Sequence, residues 1–558
     1  MKTLGIRDII GPIMIGPSSS HTAGALRIAL MARHLLSAEP AEVEFRLYGS
    51  FAHTYHGHGT DRALLAGMLG FAAEDERIRD SFALAEQAGL AFSFVPVADE
   101  ATDHSNTVDI RVVDAAGHET TVRGESIGGG AARITRLNGI AVELTGEYHS
   151  IVVKHRDQKG ALAFIASCLA RFDVNIATTR LFREKRGEVA YTVMEADDAI
   201  PCALLDEIRA NPAVQAVSAL KSDRSRDEFA PRSVAEELAE GEAPTGFGTD
   251  LTVEGAAELF ERIDFADGAA LLAFCETSGL PISEAICRRE RCLLAMSELA
   301  VDDTHRYLDD VLAIMRASVE QAMEDPQPSM GGLIGGEAAK LAAYEATGRA
   351  LCDPLTARAI TYGMAVLETN ASMGRIVAAP TAGSAGVVPA VLLALQDERG
   401  LGNEALNRGL ANAAAIGMLV TRASTVSGAE GGCQAEVGTA SAMAASAAVE
   451  MMGGTPAQCL AAAATALSGL MGLVCDPIGG LVEAPCQKRN AVGAANALVA
   501  AHLALAGVGT LIGFDETVWA MDTVGRALPF ELRESALGGL AATPTAHALC
   551  AICLGCEG

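Results

Sequence analysis

The chain has 558 residues, half of them apolar and only 20% charged, so it is long enough for about two to four domains with large cores. Its formal net charge of −28 disfavours binding to nucleic acid or to an anionic membrane surface. The N-terminal segment MKTLGIRDIIGP lacks the long apolar stretch of a secretory signal, and we therefore expect a cytoplasmic protein.

The first part of the chain combines helical and strand patterns. Within residues 1–147, helical spacing follows His21, and alternation in VEFRLYGS, AFSFVPV and TVDIRVVDAAG predicts strands, which together indicate an α+β domain. Residues 148–222 form a separate small unit in which strands and helices follow the order βαββαβ. That order predicts a ferredoxin-like fold.

The second half of the chain is predominantly helical in pattern. Residues 223–250 are charged and contain proline and glycine, which is typical of a surface linker, and residues 251–558 are Ala-rich helical segments between Gly/Pro loops. The uncharged stretch 490–514 has the length of a membrane span, but its alanines, glycines and His502 favour a helix at the centre of a helical domain. The sequence thus predicts a multidomain α+β protein with an N-terminal α+β domain, a ferredoxin-like domain and a C-terminal all-α domain.

Three of the 13 cysteines lie in loops: Cys433 in GAEGGCQAEVG, Cys475 in GLVCDPIGG and Cys486 in EAPCQKRN. Neighbouring glycine or proline places each at a helix end or a loop apex, and three such thiolates can hold an iron–sulfur cubane with one iron left open. The alternatives are buried structural thiols, or a metal set at the C-x-x-C-x-x-C tail formed by Cys550, Cys553 and Cys556. On a helix, the tail cysteines would instead share one apolar face.

A serine-rich loop, IGPSSSHTAG, precedes the first helical run. One of its hydroxyls could cap the helix, and the free backbone amides there could bind a carboxylate. Capping needs one or two hydroxyls and not four in a row, so we favour a ligand-binding role for this loop. Its candidate residues are Ser18, Ser19, Ser20, His21 and Thr22.

A histidine-rich loop, YGSFAHTYHGHGTDRA, carries His53, His56 and His58. Glycines on both sides of His58 predict an exposed, tightly turned loop, and an imidazole can remove a proton near neutral pH. A histidine metal site and a solvated turn are the alternatives. Two further Gly-rich loops, SMGGLIGGEAAK and APTAGSAGVVPA, could present backbone amides to an anion, although close helix packing explains them equally well.

Together these segments, with GAEGGCQAEVGTASAMAA and GLVCDPIGGLVEAPCQKRN, resemble the iron–sulfur L-serine dehydratase family across nearly all of 1–147 and 251–558. The resemblance implies fused β and α parts, with β first, and an L-serine ammonia-lyase activity. It implies that Cys433, Cys475 and Cys486 hold a 4Fe–4S cluster, that His58 is catalytic and that His21 lies in the substrate loop. The implied substrate-binding residues are Ser18, Ser19, Ser20, Thr22, Thr381 and Ser384.

The unit at 148–222 resembles an ACT domain, with RDQKGAL at the turn between its first strand and first helix. The resemblance implies an amino-acid effector near Asp157, Gly160 and Asn175, and a homodimer or higher homo-oligomer. Some family members end in a cysteine that occupies the open iron, whereas this sequence ends Cys556-Glu557-Gly558, which leaves the part of Cys556 open.

The resemblance implies that an open iron binds the serine hydroxyl while His58 takes the α-proton. One alternative is a pyridoxal-phosphate dehydratase, which needs a Schiff-base lysine. Lys340 and Lys488 are the only lysines in 251–558, and neither lies in a phosphate-binding motif. The other alternative is an amino-acid sensor or redox switch, which gives little reason for so many Gly-rich loops.

Overall fold

The computed structural model describes residues 3–146, 148–183, 185–220, 253–296 and 303–553, with the side chains of 253, 254, 303 and 550–553 excepted. It is a multidomain α+β protein with an N-terminal sheet domain and a C-terminal helical domain, as the sequence predicts at this level. The predicted linker, 223–250, lies outside the described residues.

The N-terminal domain is built on a six-stranded sheet. Alternate residues of the strand that contains Val108, Ile110 and Val112 are buried, and this apolar face is covered by helices. The strands run in the order β3-β2-β4-β5-β6-β7, antiparallel except for the β2–β3 pair. The elements are α1 (Ile6–Ile9), β1 (Ile13–Ile15), α2 (Ala25–His34), β2 (Pro40–Tyr48), α3 (Gly49–Thr54), α4 (Thr60–Leu69), α5 (Ser81–Gln87), β3 (Ala91–Val97), β4 (Asn106–Asp114), β5 (Glu119–Gly128), β6 (Ala131–Leu137) and β7 (Ile140–Leu144).

Residues 149–220 contain the predicted order of strands and helices. Their sheet has the order β11-β8-β10-β9 and is antiparallel throughout. Ile151 and Val153 pack with the two helices in a separate apolar core, whereas Val152, on the opposite face, joins the main core. The elements are β8 (His149–Arg156), α6 (Ala161–Arg171), β9 (Ile176–Arg183), β10 (Val189–Ala196), α7 (Cys202–Arg209) and β11 (Val214–Leu220).

The remaining elements form the helical domain. They are α8 (Val253–Ile263), α9 (Gly268–Ser278), α10 (Ile282–Met296), α11 (Asp303–Glu324), α12 (Glu337–Glu345), α13 (Pro354–Ala371), β12 (Arg375–Val377), α14 (Val387–Arg399), α15 (Asn403–Ala423), α16 (Gly428–Gly431), α17 (Thr439–Met451), α18 (Pro456–Gly469), α19 (Cys486–Leu505), α20 (Phe514–Ala527) and α21 (Pro544–Cys553). Among the described residues of this domain, β12 is the only strand element.

The N-terminal segment belongs physically to the helical domain. Strand β1 pairs with β12, with Ile13 opposite Val377, and the Glu290 carboxylate accepts the Ile6 amide at 3.0 Å. The buried Arg289 donates to the carbonyl oxygen of Leu4 at 2.7 Å. One apolar core therefore runs from the sheet domain into the helical domain.

Helix α19 differs from the central helix that its uncharged sequence predicts. One face packs against α13, α17 and α18, but Val492 is 56% exposed and Val499 is 59% exposed. Within the part of the chain that the structure describes, no single helix has the length and apolarity needed to cross a membrane. The bent pair α9 and α10 meets that test only when taken together.

Candidate active site between the two domains

The serine-rich loop folds into a buried π-helical turn, Ser19–Gly24, ahead of α2. Ser18 caps it, because its hydroxyl accepts the amide of His21 at 3.1 Å. The Ser20 hydroxyl lies 2.9 Å from Nδ1 of His21, and that of Ser18 lies 3.3 Å from it. Thr22 donates to the carbonyl oxygen of His58 at 2.7 Å, so this loop positions the histidine loop as well as His21. Ser19 is also buried.

The histidine loop is buried at His58, and the expectation of an exposed turn is wrong. Gly57 lies against the backbone of Gly480, where an added Cβ would come within 2.4 Å of the carbonyl oxygen. Glycine therefore serves the close approach of two domains and not solvent exposure. His53 and His56 are exposed, and His56 pairs with Asp61 at 2.7 Å.

His21 and His58 stack on each other, with ring centroids 4.3 Å apart, and a buried carboxylate from the helical domain joins them. Oε1 of Glu534 lies 3.2 Å from Nε2 of His58 and 3.8 Å from Nδ1 of His21. The Ser50 hydroxyl holds the other side of His21, at 2.9 Å from Nε2. The donor atoms of His21, His58 and Glu534 all lie within 4.8 Å of one another, and we call these three residues the acid–base trio.

Burial sets the charge states in the trio. It lowers the pKa of His21 to about 3, with the neighbouring His58 as the second cause, so His21 is neutral at physiological pH. Burial alone would raise the pKa of Glu534, but the two histidines outweigh it and the pKa lies below its usual value. The trio therefore combines a carboxylate with a neutral imidazole in a site closed to water.

Sequence patterns give no indication of Glu534. It follows α20 in FELRESALGG, which has no recognisable catalytic spacing. Its backbone has a φ of +56°, a conformation that non-glycine residues rarely adopt and that is frequent at functional sites. Its amide donates to the carbonyl oxygen of Cys475 at 2.8 Å, which fixes the carboxylate next to the loop cysteines.

The three loop cysteines converge beside the trio, and all three are buried. Cys475 and Cys433 share a hydrogen bond, which lowers the pKa of Cys433 and raises that of Cys475, and burial raises the pKa of Cys486. The Arg489 guanidinium also lowers the pKa of Cys433. At Gly428, an added Cβ would lie 2.6 Å from the Glu436 carboxylate and 3.2 Å from the Cys475 sulfur, so glycine permits close packing beside that thiol. Three buried thiols with a nearby cation suit a thiolate-bound metal group.

The loop with Thr381 and Ser384 reaches the same region. Their hydroxyls are buried and lie 3.0 Å apart, and Thr381 hydrogen-bonds to the carboxyl of Glu436. Burial raises the pKa of Glu436 well above its usual value. The Asn370 side chain donates to the carbonyl oxygens of Pro17 at 3.3 Å and Ala382 at 2.9 Å, and so ties this loop to the serine loop. Neither Glu436 nor Asn370 stands out in the sequence.

The Gly-rich loop at 329–336 binds carboxyl groups, but these belong to glutamate side chains of the protein itself. The Glu483 carboxylate accepts from the Ser329 hydroxyl and the Gly331 amide, each at 2.6 Å. Glu368 accepts the Gly336 amide at 2.8 Å and the Gln487 side chain at 2.8 Å. The loop therefore supports the segment that carries Cys486, and we do not count it as a ligand site.

The remaining candidates lie elsewhere. The Asp157 carboxylate accepts from Arg183 at 2.9 Å and from the Gly187 amide at 2.8 Å. Gly160 immediately precedes α6, with a φ of +87° and open space beside it. The Asn175 side chain donates to Asp197 at 2.8 Å. Cys556 and the side chains of Cys550 and Cys553 lie outside the described residues.

A closed site shared by two domains, with acid–base groups beside clustered thiols, is the arrangement of an enzyme active site. Family models described as "Serine dehydratase beta chain" and "Serine dehydratase alpha chain" match residues 7–135 and 277–541. An L-serine dehydratase of Streptomyces coelicolor is 30% identical over 537 residues, covering 95% of this chain and 96% of the relative. The chain belongs to the serine dehydratase family.

Separate chains of the family match the two halves. A probable L-serine dehydratase alpha chain of Bacillus subtilis is 45% identical over 285 residues, which are 51% of this chain and 94% of the relative. A probable beta chain of the same organism is 44% identical over 212 residues, 38% of this chain and 96% of the relative. One chain here thus carries regions similar to both.

Proposed function

We propose that this protein is an L-serine dehydratase, a lyase that converts L-serine to pyruvate and ammonia. The names of its relatives support the reaction, and one structural observation supports the site. Glu534 is hydrogen-bonded through its amide to Cys475 and contacts His58 through its carboxylate at 3.2 Å. The thiols of the alpha-type region and the histidines of the beta-type region therefore serve one site. A cytoplasmic location remains a prediction.

Cys433, Cys475 and Cys486 are the residues that we propose hold a 4Fe–4S cluster. Support comes from their common burial, the hydrogen bond between Cys433 and Cys475, and the Arg489 charge beside them. Such a cluster, with three protein ligands, would supply an open iron as a Lewis acid for the serine hydroxyl. Sensitivity to oxygen follows, because an open iron is accessible to oxidants.

The residues of the chain itself would bind the substrate and move its proton. His58 is positioned by Thr22 and Glu534, and it is the residue that we propose takes the α-proton of serine. The serine loop (Ser18, Ser19, Ser20 and Thr22), together with Thr381 and Ser384, offers buried hydroxyls and amides for the substrate carboxylate. His21 lies between the serine loop and Glu534 as a neutral imidazole.

The products follow from loss of the α-proton and of hydroxide. The aminoacrylate so formed has an enamine nitrogen and hydrolyses in water to pyruvate and ammonia without further catalysis. A site closed to water protects the proton-transfer step, and release of aminoacrylate completes turnover.

A second cofactor candidate is a single divalent metal on the acid–base trio. Two histidines and a glutamate are a ligand set that zinc uses in hydrolases, and their donor atoms lie close enough together. However, Nδ1 of His21 is already within 2.9 Å of the Ser20 hydroxyl, which a metal would have to displace. Metal analysis distinguishes the two, because zinc without iron and sulfide would favour the trio.

We propose that 148–222 is an ACT domain that binds an amino-acid effector near Asp157, Gly160 and Asn175. The sheet order β11-β8-β10-β9 with two helices on one face supports the fold. Because Asp157 is bonded to Arg183 and Gly187, it would act chiefly by shaping the turn. Asp157→Ala should alter a sigmoidal or lagging response to serine while iron content stays constant. Hyperbolic kinetics in both proteins would contradict regulation.

A homo-oligomer is also proposed, through the exposed face of α19 and the segment after it. Val492, Val499, Val508, Leu511, Ile512 and Trp519 are exposed there. Residues 490–514 carry no charged side chain in a protein of net charge −28, so two copies can approach at this face without like-charge repulsion. Replacing Val499 and Trp519 with serine should yield monomers by light scattering; an unchanged mass would contradict this interface.

The function is tested by anaerobic reconstitution with iron and sulfide, followed by a pyruvate assay. We expect turnover of L-serine, and comparison with D-serine and L-threonine defines the substrate range. Absence of pyruvate from L-serine in protein that has bound iron would contradict the proposal.

A further inference from the structure

A cavity of about 210 Å³ opens directly beside the acid–base trio. Two of its lining residues also touch the trio: the Ser50 hydroxyl lies 2.9 Å from Nε2 of His21, and the Ala429 amide bonds to the carboxyl of Glu534. The trio itself is buried, so any substrate must reach it through an adjoining space. The position of this cavity suits such an access route to the trio.

Arg533 is the lining residue with unused hydrogen-bonding capacity. Its Nη1 makes one long contact, at 3.4 Å, with the carbonyl oxygen of Glu430, and its Nε has no partner among the described residues. The other basic lining residue, His104, has a pKa lowered by burial, which leaves Arg533 as the permanent cation of the lining. Arg489, by contrast, is held by Asp476 at 2.7 Å.

Two acidic residues, Asp103 and Glu430, line the same cavity. One basic and two acidic residues around one cavity provide both of the charges that an α-amino-acid zwitterion requires of its site. In a protein of net charge −28, a substrate carboxylate also requires such a local cation.

We infer that this cavity is the entry site for the amino-acid substrate, and that Arg533 is a positioning residue that receives the substrate carboxylate while Asp103 and Glu430 face its ammonium group. The inference rests on the proposed function and deepens it, because it assigns the selection of amino acids over singly charged compounds to the entry step. Carboxylic acids without an amino group, and amines without a carboxylate, enter poorly.

The kinetic test compares Arg533→Gln with the wild-type holoenzyme. A lost charge-assisted hydrogen bond predicts a KM for L-serine raised about tenfold to a hundredfold, with kcat within about twofold and iron content unchanged. Arg533→Lys should restore part of the loss because it restores the charge. The matched control is Arg526→Gln, since Arg526 is exposed and pairs with Asp522 on its own helix. A fall in kcat with unchanged KM would overturn the inference.

A binding measurement separates this inference from the proposed function. L-alanine carries both charges but no hydroxyl to lose, so calorimetry with the intact protein does not depend on turnover. We expect L-alanine to bind more tightly than propionate to wild type, Arg533→Gln to weaken both, and Asp103→Asn to weaken L-alanine alone. Equal affinity of wild type and Arg533→Gln for L-alanine would overturn the entry site. A missing pyruvate signal together with Arg533-dependent binding would overturn only the dehydratase function.

Discussion

Two regions of this protein are rich in buried polar groups, and only one has the form of an active site. The second, which we call the helical-core cluster, comprises Ser283, Asn412, Ser446, Glu450 and Cys459. The Glu450 carboxylate accepts the Asn412 side chain at 2.7 Å and the Ser283 amide at 3.2 Å. Burial raises the pKa of Cys459 to about 12, which leaves a protonated thiol.

Both regions hold a thiol, a carboxylate and unpartnered buried atoms, so burial and polarity alone do not distinguish them. The helical-core cluster is built from positions on α10, α15, α17 and α18, all in one domain. The site is built from loops and helix ends of both domains, where Gly57 and Gly428 allow close approach. Convergence of loops across a domain boundary is therefore a stronger sign of function than burial or polarity.

The largest expected difference lies in iron binding. Cys433→Ala, Cys475→Ala and Cys486→Ala should each abolish the brown colour, the bound iron and turnover, because each removes one of three proposed ligands. Cys459→Ala, in the helical-core cluster, should keep its iron. Iron and sulfide analysis after anaerobic purification checks this, and loss of iron in Cys459→Ala would break the comparison.

Within the site, histidine variants should distinguish an effect on turnover from an effect on cofactor binding. His58→Ala should lower kcat by about two to four orders of magnitude, the usual scale for loss of a general base, at unchanged iron content. His56→Ala is the matched control, since His56 is exposed and pairs with Asp61. Near-normal turnover in His58→Ala would assign the proton transfer to another residue, with His21 next.

A buried ion cluster outside the site should affect stability and not catalysis. Asp264 contacts Arg289 at 2.6 Å and Arg422 at 2.5 Å, and Arg289 is fully buried. Asp264→Asn leaves that cation unpaired and should cost about 3–5 kcal/mol in urea unfolding, with kcat unchanged once folded. A reduced kcat at normal iron content would contradict this separation.

The same cluster predicts the direction of a pH effect. Burial opposes ionisation of Asp264, but its hydrogen bonds from Arg422 and Arg289 prevail and hold the pKa below the usual value. Its contribution to stability is therefore fully present above about pH 4 and is lost as pH falls through the lowered folded-state pKa. The difference in unfolding midpoint between wild type and Asp264→Asn should shrink in acid; a difference that grows would contradict the assignment.

The smallest effect is expected for the helical-core cluster itself. Glu450→Ala leaves the Asn412 side chain and the Ser283 amide without their acceptor and should cost about 1–3 kcal/mol of stability. The KM and kcat for L-serine should not change. A change in either constant would show that this cluster is coupled to catalysis, so that the two regions would not differ in function as described.

Local sequence patterns predicted part of this architecture. Alternation marked β2, β3 and β4, and glycine or proline marked the loops around His58 and the three cysteines. Strands β5–β7 were not predicted, and in β5 the glycines Gly124 and Gly128 weaken the strand pattern. The pairing of β1 with β12 was not predicted, because it joins residues more than 350 positions apart and no local sequence pattern encodes such a contact.

The same limit explains the site. Glu534 reaches His58 only through tertiary structure, and its own segment carries no motif. The glycines beside His58 suggested exposure, but their role is the contact of Gly57 with Gly480. The loop at 329–336 suggested an external anion, but Glu483 and Glu368 occupy its amides. Residue type and flanking glycines thus indicated loops that the fold brings together, while the partners of each side chain depended on the tertiary structure.

We propose that an open-site cluster on Cys433, Cys475 and Cys486 binds L-serine beside His58. Mössbauer spectroscopy of protein reconstituted with ⁵⁷Fe, with and without L-serine, tests it most directly. We expect about four iron atoms per chain, one of which changes its signal when L-serine is added. Spectra that are identical with and without L-serine, or an iron signal retained when all three cysteines are replaced, would contradict it.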